Sequence, residues 1–239
     1  MGPGAIAALL GPLRDFVLPP LCDACGLRLA SHADWLCHSC SARLRALGSG
    51  DPVLGNLRSL LCASGNISCL IVLYRFESEG PLRSLIHGLK YRGSTHTGTS
   101  LGRSLARRAL AEGAPGVDGV LPVPLHPSRR RERGYNQAEC IARGLAEVLG
   151  VPVETGILAR DRATASQTAL GRDARRRNVR DAFSVRPCSR VAVEGRSFAI
   201  VDDVITTGST IQECAAAVRV EGARRCVVFA AAVAGGGII

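Results

Sequence analysis

The feature that most constrains the fold is the run of residues 198–210, which reads FAIVDDVITTGST. Four apolar residues typical of a buried strand lead into the adjacent carboxylates Asp202 and Asp203, and then into a turn of small hydroxyl residues and glycine. The pattern predicts a helix over 211–220. A strand, a tight loop and a helix N-terminus form an anion site, because the loop amides and the helix dipole point at the bound group. The two acids can accept hydrogen bonds from a vicinal diol or hold a metal ion through water. A phosphate beside a diol describes a ribose 5-phosphate, whereas the simpler alternative is a strand-to-helix turn with an N-cap.

The rest of the second half alternates between strand-like and helix-like segments, which predicts a parallel sheet with helices on both faces. Strands are expected at 70–76, 119–123, 182–185, 198–201 and 226–234, and helices at 81–91, 101–111 and 138–149. Apolar residues make up 46% of the chain and aromatic residues only 4%, so the core must consist mainly of Ala, Val, Leu and Ile. Ligands in such sheets bind at the carboxyl ends of the strands.

Four cysteines near the N-terminus form two C-x-x-C hooks, Cys22 with Cys25 and Cys37 with Cys40. Two hooks can close a tetrahedral four-thiolate site, which suits structural zinc. Four unrelated thiols or a redox C-x-x-C are the alternatives. Cys62 and Cys69 are read as a further metal pair, the remnant of a second ribbon or buried small hydrophobes.

The sequence predicts a boundary near residue 70. Residues 1–69 would hold an N-terminal amphipathic helix around 5–17, the zinc-ribbon-like module and a linker over 44–66, and residues 70–239 would form the main domain. No segment is long enough to span a membrane, and the N-terminus lacks the features of a signal peptide. A reducing, cytoplasmic compartment is therefore expected, in which paired cysteines are more readily metal ligands than disulfides.

Two polar loops carry most of the charge of a chain whose formal net charge is +10. The first follows the predicted strand at 119–123, and its four arginines make it a second candidate anion site or a solvated basic turn. The second, 158–181, is a candidate lid or a basic surface helix that binds nucleic acid nonspecifically. Its candidate residues are Arg160, Arg162, Gln167, Arg175, Arg176, Arg177 and Asn178.

The order of the motifs resembles the ComF family of competence proteins. After the cysteine module come LKYRG (89–93), PVPLH (122–126), RERGYNQA (131–138), R-x-R-x-T-x-x-Q (160–167), RRRNVRDAF (175–183) and VDDVITTGST (201–210). The resemblance implies a type I phosphoribosyltransferase-like parallel sheet flanked by helices, with a small N-terminal four-cysteine zinc module. It also implies that the run at 198–210 is the binding loop for phosphoribosyl pyrophosphate, PRPP.

The resemblance assigns expected roles to individual residues. Asp202 and Asp203 would contact the ribose hydroxyls, and Arg133 and Lys90, the only lysine in the chain, are candidates for contacts to the leaving group. The 5-phosphate loop would comprise Val204, Ile205, Thr206, Thr207, Gly208, Ser209 and Thr210. The pyrophosphate-side loop would comprise Pro122, Val123, Pro124, Leu125 and His126.

Two functions remain open at this point. The first is transfer of phosphoribose from PRPP, with Mg²⁺, to an unidentified acceptor. The second is a non-catalytic protein, either a PRPP sensor or an adaptor for single-stranded DNA that works with other competence proteins. A homodimer is a further candidate arrangement of the chain. Either function would act in natural competence and DNA uptake, and the arginine loops would serve DNA binding through counterion release.

Overall fold

Four parallel strands form the central sheet in the computed structural model, which describes residues 19–31, 35–48, 50–160 and 182–234. The six strands are β1 (Cys69–Phe76), β2 (Gly119–Pro122), β3 (Leu158–Arg160), β4 (Phe183–Val185), β5 (Ser197–Ile205) and β6 (Arg225–Ala234). The sheet has the order β1-β6-β5-β2, so β5 lies at its centre. Its register sets Val201 beside Phe229 and Asp202 beside Ala230.

Seven α-helices lie in the described part of the chain, and five of them, all except α1 and α5, pack on the two faces of this sheet. The seven helices are α1 (His38–Ala42), α2 (Pro52–Cys62), α3 (Pro81–Tyr91), α4 (Thr95–Ala111), α5 (Pro127–Arg133), α6 (Gln137–Leu149) and α7 (Ser209–Val220). The core on one face includes apolar residues of α2 and α7, and the core on the other includes those of α3, α4 and α6. The predicted architecture, a parallel sheet flanked by helices with a small four-cysteine module, is confirmed.

Helices α4 and α6 approach each other through glycines. A Cβ atom on Gly102 would lie 2.0 Å from the carbonyl oxygen of Ile141, and one on Gly144 would lie 1.9 Å from that of Thr99. Both atoms belong to the backbone, which cannot move aside as a flexible side chain can, so this contact needs glycine. The small-residue helix packing expected from the low aromatic content is found here.

The structure differs from the expected elements in several places. The two predicted polar loops contain regular structure, since α5 forms in the first and β3 begins the second. Strand β5 continues to Ile205, so the acidic pair lies inside the strand rather than after it. The predicted strand at 182–185 belongs to no parallel sheet, because β4 pairs antiparallel with β3 in a separate ribbon. The predicted linker at 44–66 contains α2, whose residues Leu54, Leu57 and Leu61 are fully buried in the main core.

Helix α2 begins with a strong local signal. The Asp51 side chain accepts a hydrogen bond from the amide of Val53 at 2.9 Å, and Pro52 occupies the first helical turn. An acidic N-cap followed by proline is a favoured helix start. The glycine and serine residues around this segment are typical of a loop, so the sequence pattern does not predict the helix. The stripe of leucines stabilises the helix because it is buried against the sheet.

Polar contacts join the N-terminal segment to helix α4 and to the main sheet. Asp23 accepts a 2.8 Å hydrogen bond from the Thr97 hydroxyl, and Ala46 forms an antiparallel bridge with Tyr74 of β1. The predicted domain boundary at residue 70 stays a prediction. In the described ranges, no helix combines the length and the apolar character that crossing a membrane requires. The N-terminal helix expected around 5–17 lies outside the described residues.

Candidate functional site

The acidic pair lies at the carboxyl end of the central strand β5. Asp202 accepts a hydrogen bond from the amide of Asp203 at 2.8 Å, and Asp203 accepts one from the amide of Val204 at 2.7 Å. Both acids are partly buried and both line the same cavity. The sheet therefore delivers two carboxylates to the edge at which ligands bind in parallel α/β folds.

Lys90 forms an ion pair with one of the two acids. Its Nζ atom lies 2.8 Å from Oδ2 of Asp203, and the two side chains are 27% and 13% exposed. Lys90 is in the last turn of α3, where the helix dipole favours a cation. The only lysine of the chain is thus held against a carboxylate of the site, and its expected contact to a leaving group stays a prediction.

Asp202 is an acid of this site whose pKa is strongly shifted. Burial, and then repulsion by the carboxylate of Asp203, raise the pKa of Asp202 to about 7, although the Asp203 amide and Lys90 oppose the shift. A carboxyl group with a pKa near neutrality exists in both protonation states at physiological pH. It can accept a hydrogen bond when ionised, and it can also exchange a proton with a bound ligand.

The hydroxyl-rich loop connects β5 to α7. The hydroxyl oxygens of Thr207 and Ser209 lie 3.0 Å apart, and Gly208 has a φ of 76° in the left-handed region. The N-cap of α7 is Gly208, which has no side chain, and the Thr207 hydroxyl accepts a hydrogen bond from the Ser209 amide at a long 3.5 Å. Among the described residues, only this long bond competes with an anion for the first amides of α7.

Helix α2 packs against this loop. A Cβ atom on Gly208 would lie 2.4 Å from Cδ2 of Leu61, which is fully buried. The side chain of Gln212 also donates to the carbonyl oxygen of Leu60 at 3.3 Å. The loop that the sequence assigned to the main domain is thus packed against a helix that lies in the predicted N-terminal segment.

One cavity of about 310 Å³ brings most of the predicted site residues together. Its lining includes Lys90, Val123, Pro124, Leu125, Arg133, Arg160 and the whole run Asp202–Thr210. Pro122 and His126 do not line it. Pro122 ends β2 and faces a second cavity, whereas His126 caps α5 by accepting a hydrogen bond from the Ser128 amide at 3.3 Å. Arg162, Gln167, Arg175, Arg176, Arg177 and Asn178 lie outside the described residues.

Two residues that the sequence analysis did not select also line this cavity. Asn136 caps α6 through the Ala138 amide and donates to the carbonyl oxygen of Val123 at 3.0 Å, which fixes the loop after β2. Gln137 accepts a hydrogen bond from Arg133 at 3.0 Å, and its Nε2 atom is buried with no hydrogen-bond partner among the described residues. A buried amide group without a partner is costly, so this donor is available to a polar atom that enters the cavity. Both residues belong to the GYNQ segment, whose position before a helix was the available signal.

The four cysteines form a compact cluster. The sulfur atoms of Cys22, Cys25, Cys37 and Cys40 all lie within 4.8 Å of one another. The Sγ atoms of Cys25 and Cys37 are 3.7 Å apart, which matches the edge of about 3.7 Å expected for a tetrahedron with Zn–S bonds of about 2.3 Å. The donor set therefore fits a structural zinc ion.

Backbone amides point at the sulfur atoms. The amide of Cys37 donates to Sγ of Cys22, and that of Cys40 donates to Sγ of Cys37, both at 3.4 Å. Burial alone would raise the pKa of Cys22, but the amides around its sulfur outweigh burial and lower that pKa to about 6. Amide donors that stabilise thiolates are what a metal-binding loop requires.

The comparisons with known proteins extend over most of the chain. No protein-family model matches it. It is 31% identical over 212 residues to DNA utilization protein YhgH of Salmonella typhi, which covers 83% of this chain and 90% of that protein. It is 34% identical over 155 residues to competence protein F of Haemophilus influenzae, which covers 62% of this chain and 66% of that protein. A solved structure, glutamine phosphoribosylpyrophosphate amidotransferase from B. subtilis complexed with ADP and GMP, is similar with a TM-score of 0.38 and 29% identity over 56% of this chain and 25% of that chain.

Proposed function

Because this chain belongs to the ComF family, whose compared members are named for competence and DNA utilization, we propose that it acts in DNA uptake by binding a phosphoribosyl ligand, PRPP. The observation that carries this proposal is the shared cavity. Two carboxylates, the N-terminus of α7 behind a hydroxyl loop, and the cations Lys90 and Arg133 all line it. Ribose hydroxyls, a 5-phosphate and a pyrophosphate are the groups that these three kinds of residue recognise.

Different residues of the cavity would bind different groups of the ligand. The loop Thr206–Thr210 would bind the 5-phosphate through its amides and hydroxyls, and Asp202 and Asp203 would accept hydrogen bonds from the ribose diol. Arg133 and the unpartnered amide of Gln137 would bind oxygens of the pyrophosphate. Mg²⁺ would neutralise the pyrophosphate and bind to the acids through water.

Lys90 has a particular part in this arrangement. In the ligand-free protein its ammonium group is the counter-ion of Asp203 at 2.8 Å. A divalent ion held by Asp202 and Asp203 would leave Lys90 available to contact the leaving pyrophosphate. A cation directed at the developing charge of a leaving group lowers the barrier to its departure.

Transfer would be a displacement at the anomeric carbon of the ribose. The bond between this carbon and the pyrophosphate oxygen breaks, the acceptor atom forms the new bond, and the acceptor gives up a proton. The protein contributes mainly by positioning the reactants and stabilising the pyrophosphate.

A non-catalytic sensor or DNA adaptor is the second candidate. Phe76 is the only aromatic residue that lines the cavity among the described residues, so an acceptor base would find little surface for stacking there. This observation favours a site that holds PRPP without transferring it, and measurement of pyrophosphate release separates the two functions.

Calorimetry with PRPP and Mg²⁺ tests the proposal directly. The wild type should bind, and Asp202→Asn/Asp203→Asn should lose the binding. The double variant Glu147→Gln/Glu194→Gln is the matched control, because it removes two exposed carboxylates outside the cavity. Absence of heat with the wild type would refute PRPP binding. Binding without Mg²⁺-dependent release of pyrophosphate would support the sensor and exclude transfer under those conditions.

We also propose that the four-cysteine cluster holds one structural zinc ion. Two nearly buried sulfur atoms, those of Cys22 and Cys40, and the amide donors around the cluster support this assignment. Such a site contributes to folding and leaves no open position for catalysis.

A further inference from the structure

A second cavity of about 720 Å³ lies next to the first. The two cavities share Pro124, Leu125, Asn136 and Arg160 as a common wall. Asn136 is 5% exposed and holds this wall in place through its hydrogen bond to the Val123 carbonyl. A molecule in the second cavity is therefore separated from the phosphoribosyl site by a single rigid layer of side chains.

The second cavity is positively charged. Four of its lining residues are arginines, Arg130, Arg131, Arg160 and Arg186, and Glu139 is the only acid that lines it among the described residues. Glu139 forms ion pairs with Arg130 at 3.6 Å and with Arg143, which does not line the cavity, at 2.7 Å, so one acid faces four arginines. The cavity therefore favours an anion.

Two of these arginines are exposed and available. Neither Arg131 nor Arg186 has an ion pair or hydrogen bond of its side chain within the described ranges. They belong to different elements, since Arg131 is in α5 and Arg186 follows β4. Arginine binds phosphate through its planar fork of donors, so two free guanidinium groups across one cavity suit a phosphate group.

The cavity also has an apolar part. It consists of Pro122, Pro124, Leu125, Pro127, Leu158 and Ala159. Proline rings and leucine side chains can make van der Waals contact with a sugar or a base. A cavity lined by apolar side chains and by free arginines fits a molecule with one apolar, planar part and one phosphate, as in a nucleotide.

We propose that the second cavity takes a nucleotide, either free or at the end of a nucleic-acid strand. Arg131 and Arg186 bind its phosphate, and the apolar residues of the cavity contact its base or sugar. The binding of a nucleotide rests only on the second cavity itself.

Binding measurements with two probes test this site. The probes are thymidine 5′-monophosphate and a short 5′-phosphorylated oligothymidylate, and PRPP with Mg²⁺ is measured on the same preparations. Arg131→Glu and Arg186→Glu should each weaken the binding of a probe about tenfold to a hundredfold, the range for a charge-assisted hydrogen bond to phosphate. Arg107→Glu is the matched control, because it makes the same charge change at an exposed position outside both cavities. It should change binding by less than about twofold, which corresponds to under about 0.5 kcal/mol.

Each outcome decides one part of the proposal. Arginine-dependent binding of the mononucleotide supports a site for free nucleotides, and such binding of the oligonucleotide alone supports a site for a strand end. Equal weakening by Arg107→Glu would overturn the proposal, because binding would then follow net charge alone. PRPP binding without binding of either probe would also overturn it and leave the proposed function standing. Arginine-dependent probe binding without PRPP binding would refute the proposed function and support the nucleotide site.

Discussion

Replacement of Gly208 by alanine tests whether helix α2 supports the phosphate loop. Gly208 has a positive φ of 76°, and a Cβ atom there would lie 2.4 Å from Cδ2 of Leu61. Contacts under about 3.0 Å require one of the two atoms to move. Leu61 is fully buried in the main core, so its side chain has little freedom to withdraw.

The expected loss of stability has two parts. Placing a Cβ atom in the left-handed region costs about 1 to 2 kcal/mol. Forcing a methyl group against a packed core costs about 1 to 3 kcal/mol. Gly208→Ala should therefore lower the free energy of unfolding by about 2 to 5 kcal/mol.

A double-mutant cycle with Leu61→Ala separates the two parts. Leu61→Ala alone should cost about 2 to 5 kcal/mol, because it leaves a cavity in the core. In its background Gly208→Ala meets no side chain, so its cost should fall to the conformational part of about 1 to 2 kcal/mol. The coupling energy between the two substitutions should be about 1 to 3 kcal/mol.

Urea denaturation followed by circular dichroism measures all four proteins of the cycle. Gly150→Ala is the control, because Gly150 has a similar φ of 70° and no atom within 4 Å of the added Cβ. The reasoning fails if Gly208→Ala costs no more than Gly150→Ala. It also fails if the cost of Gly208→Ala is the same with leucine or alanine at position 61.

Three further predictions concern the site and the cysteine cluster. Mg²⁺-dependent PRPP binding should tighten as the pH rises through about 7, where Asp202 ionises, and Asp202→Asn should remove this dependence in calorimetric titrations. The raised pKa also means that the ligand-free protein loses stability as pH rises from about 4 to about 7, so Asp202→Asn should stabilise it above pH 7, by at most about 4 kcal/mol in urea denaturation. Lys90→Gln should weaken PRPP binding about tenfold and raise the pKa of Asp202 further, whereas Lys90→Arg should retain most of the affinity by the same calorimetry. Cys40→Ser should reduce bound zinc below about half an equivalent in metal analysis and destabilise the protein, whereas Cys188→Ser, at an exposed position outside the cluster, should leave the zinc content unchanged.

The local patterns of the sequence predicted the elements that carry strong periodicity. Helix α3 begins and ends where the stripe of Leu82, Leu85, Ile86 and Leu89 predicted. The loop after β5 and the cysteine hooks were likewise identified from residue type and spacing, because these features depend on neighbours in the chain.

The features of the fold and the site that the sequence did not predict depend on contacts between segments that are distant in the chain. The burial of α2 depends on a sheet that begins only after it in the chain, and the antiparallel pairing of β4 depends on β3 across the range 161–182. The role of the buried Gln137 amide as a donor in the cavity likewise depends on the fold, because residues of both α6 and β5 line that cavity. Periodicity within a segment carries no information on which surface will cover it.

The position of the acids inside β5 gives them different surroundings. Side chains alternate between the two faces of a strand, so neighbouring residues do not point the same way. Asp203 forms an ion pair with Lys90 of α3, and α3 packs in the same hydrophobic core as Val201, on one face of the sheet. Asp202 interacts electrostatically with Arg160 and with Cys214 of α7, on the opposite face. One acid therefore has a direct ion pair, and the other is partly protonated at neutral pH. Two adjacent residues of the same type can thus take separate tasks at one ligand, and the pleat of the strand is what separates them.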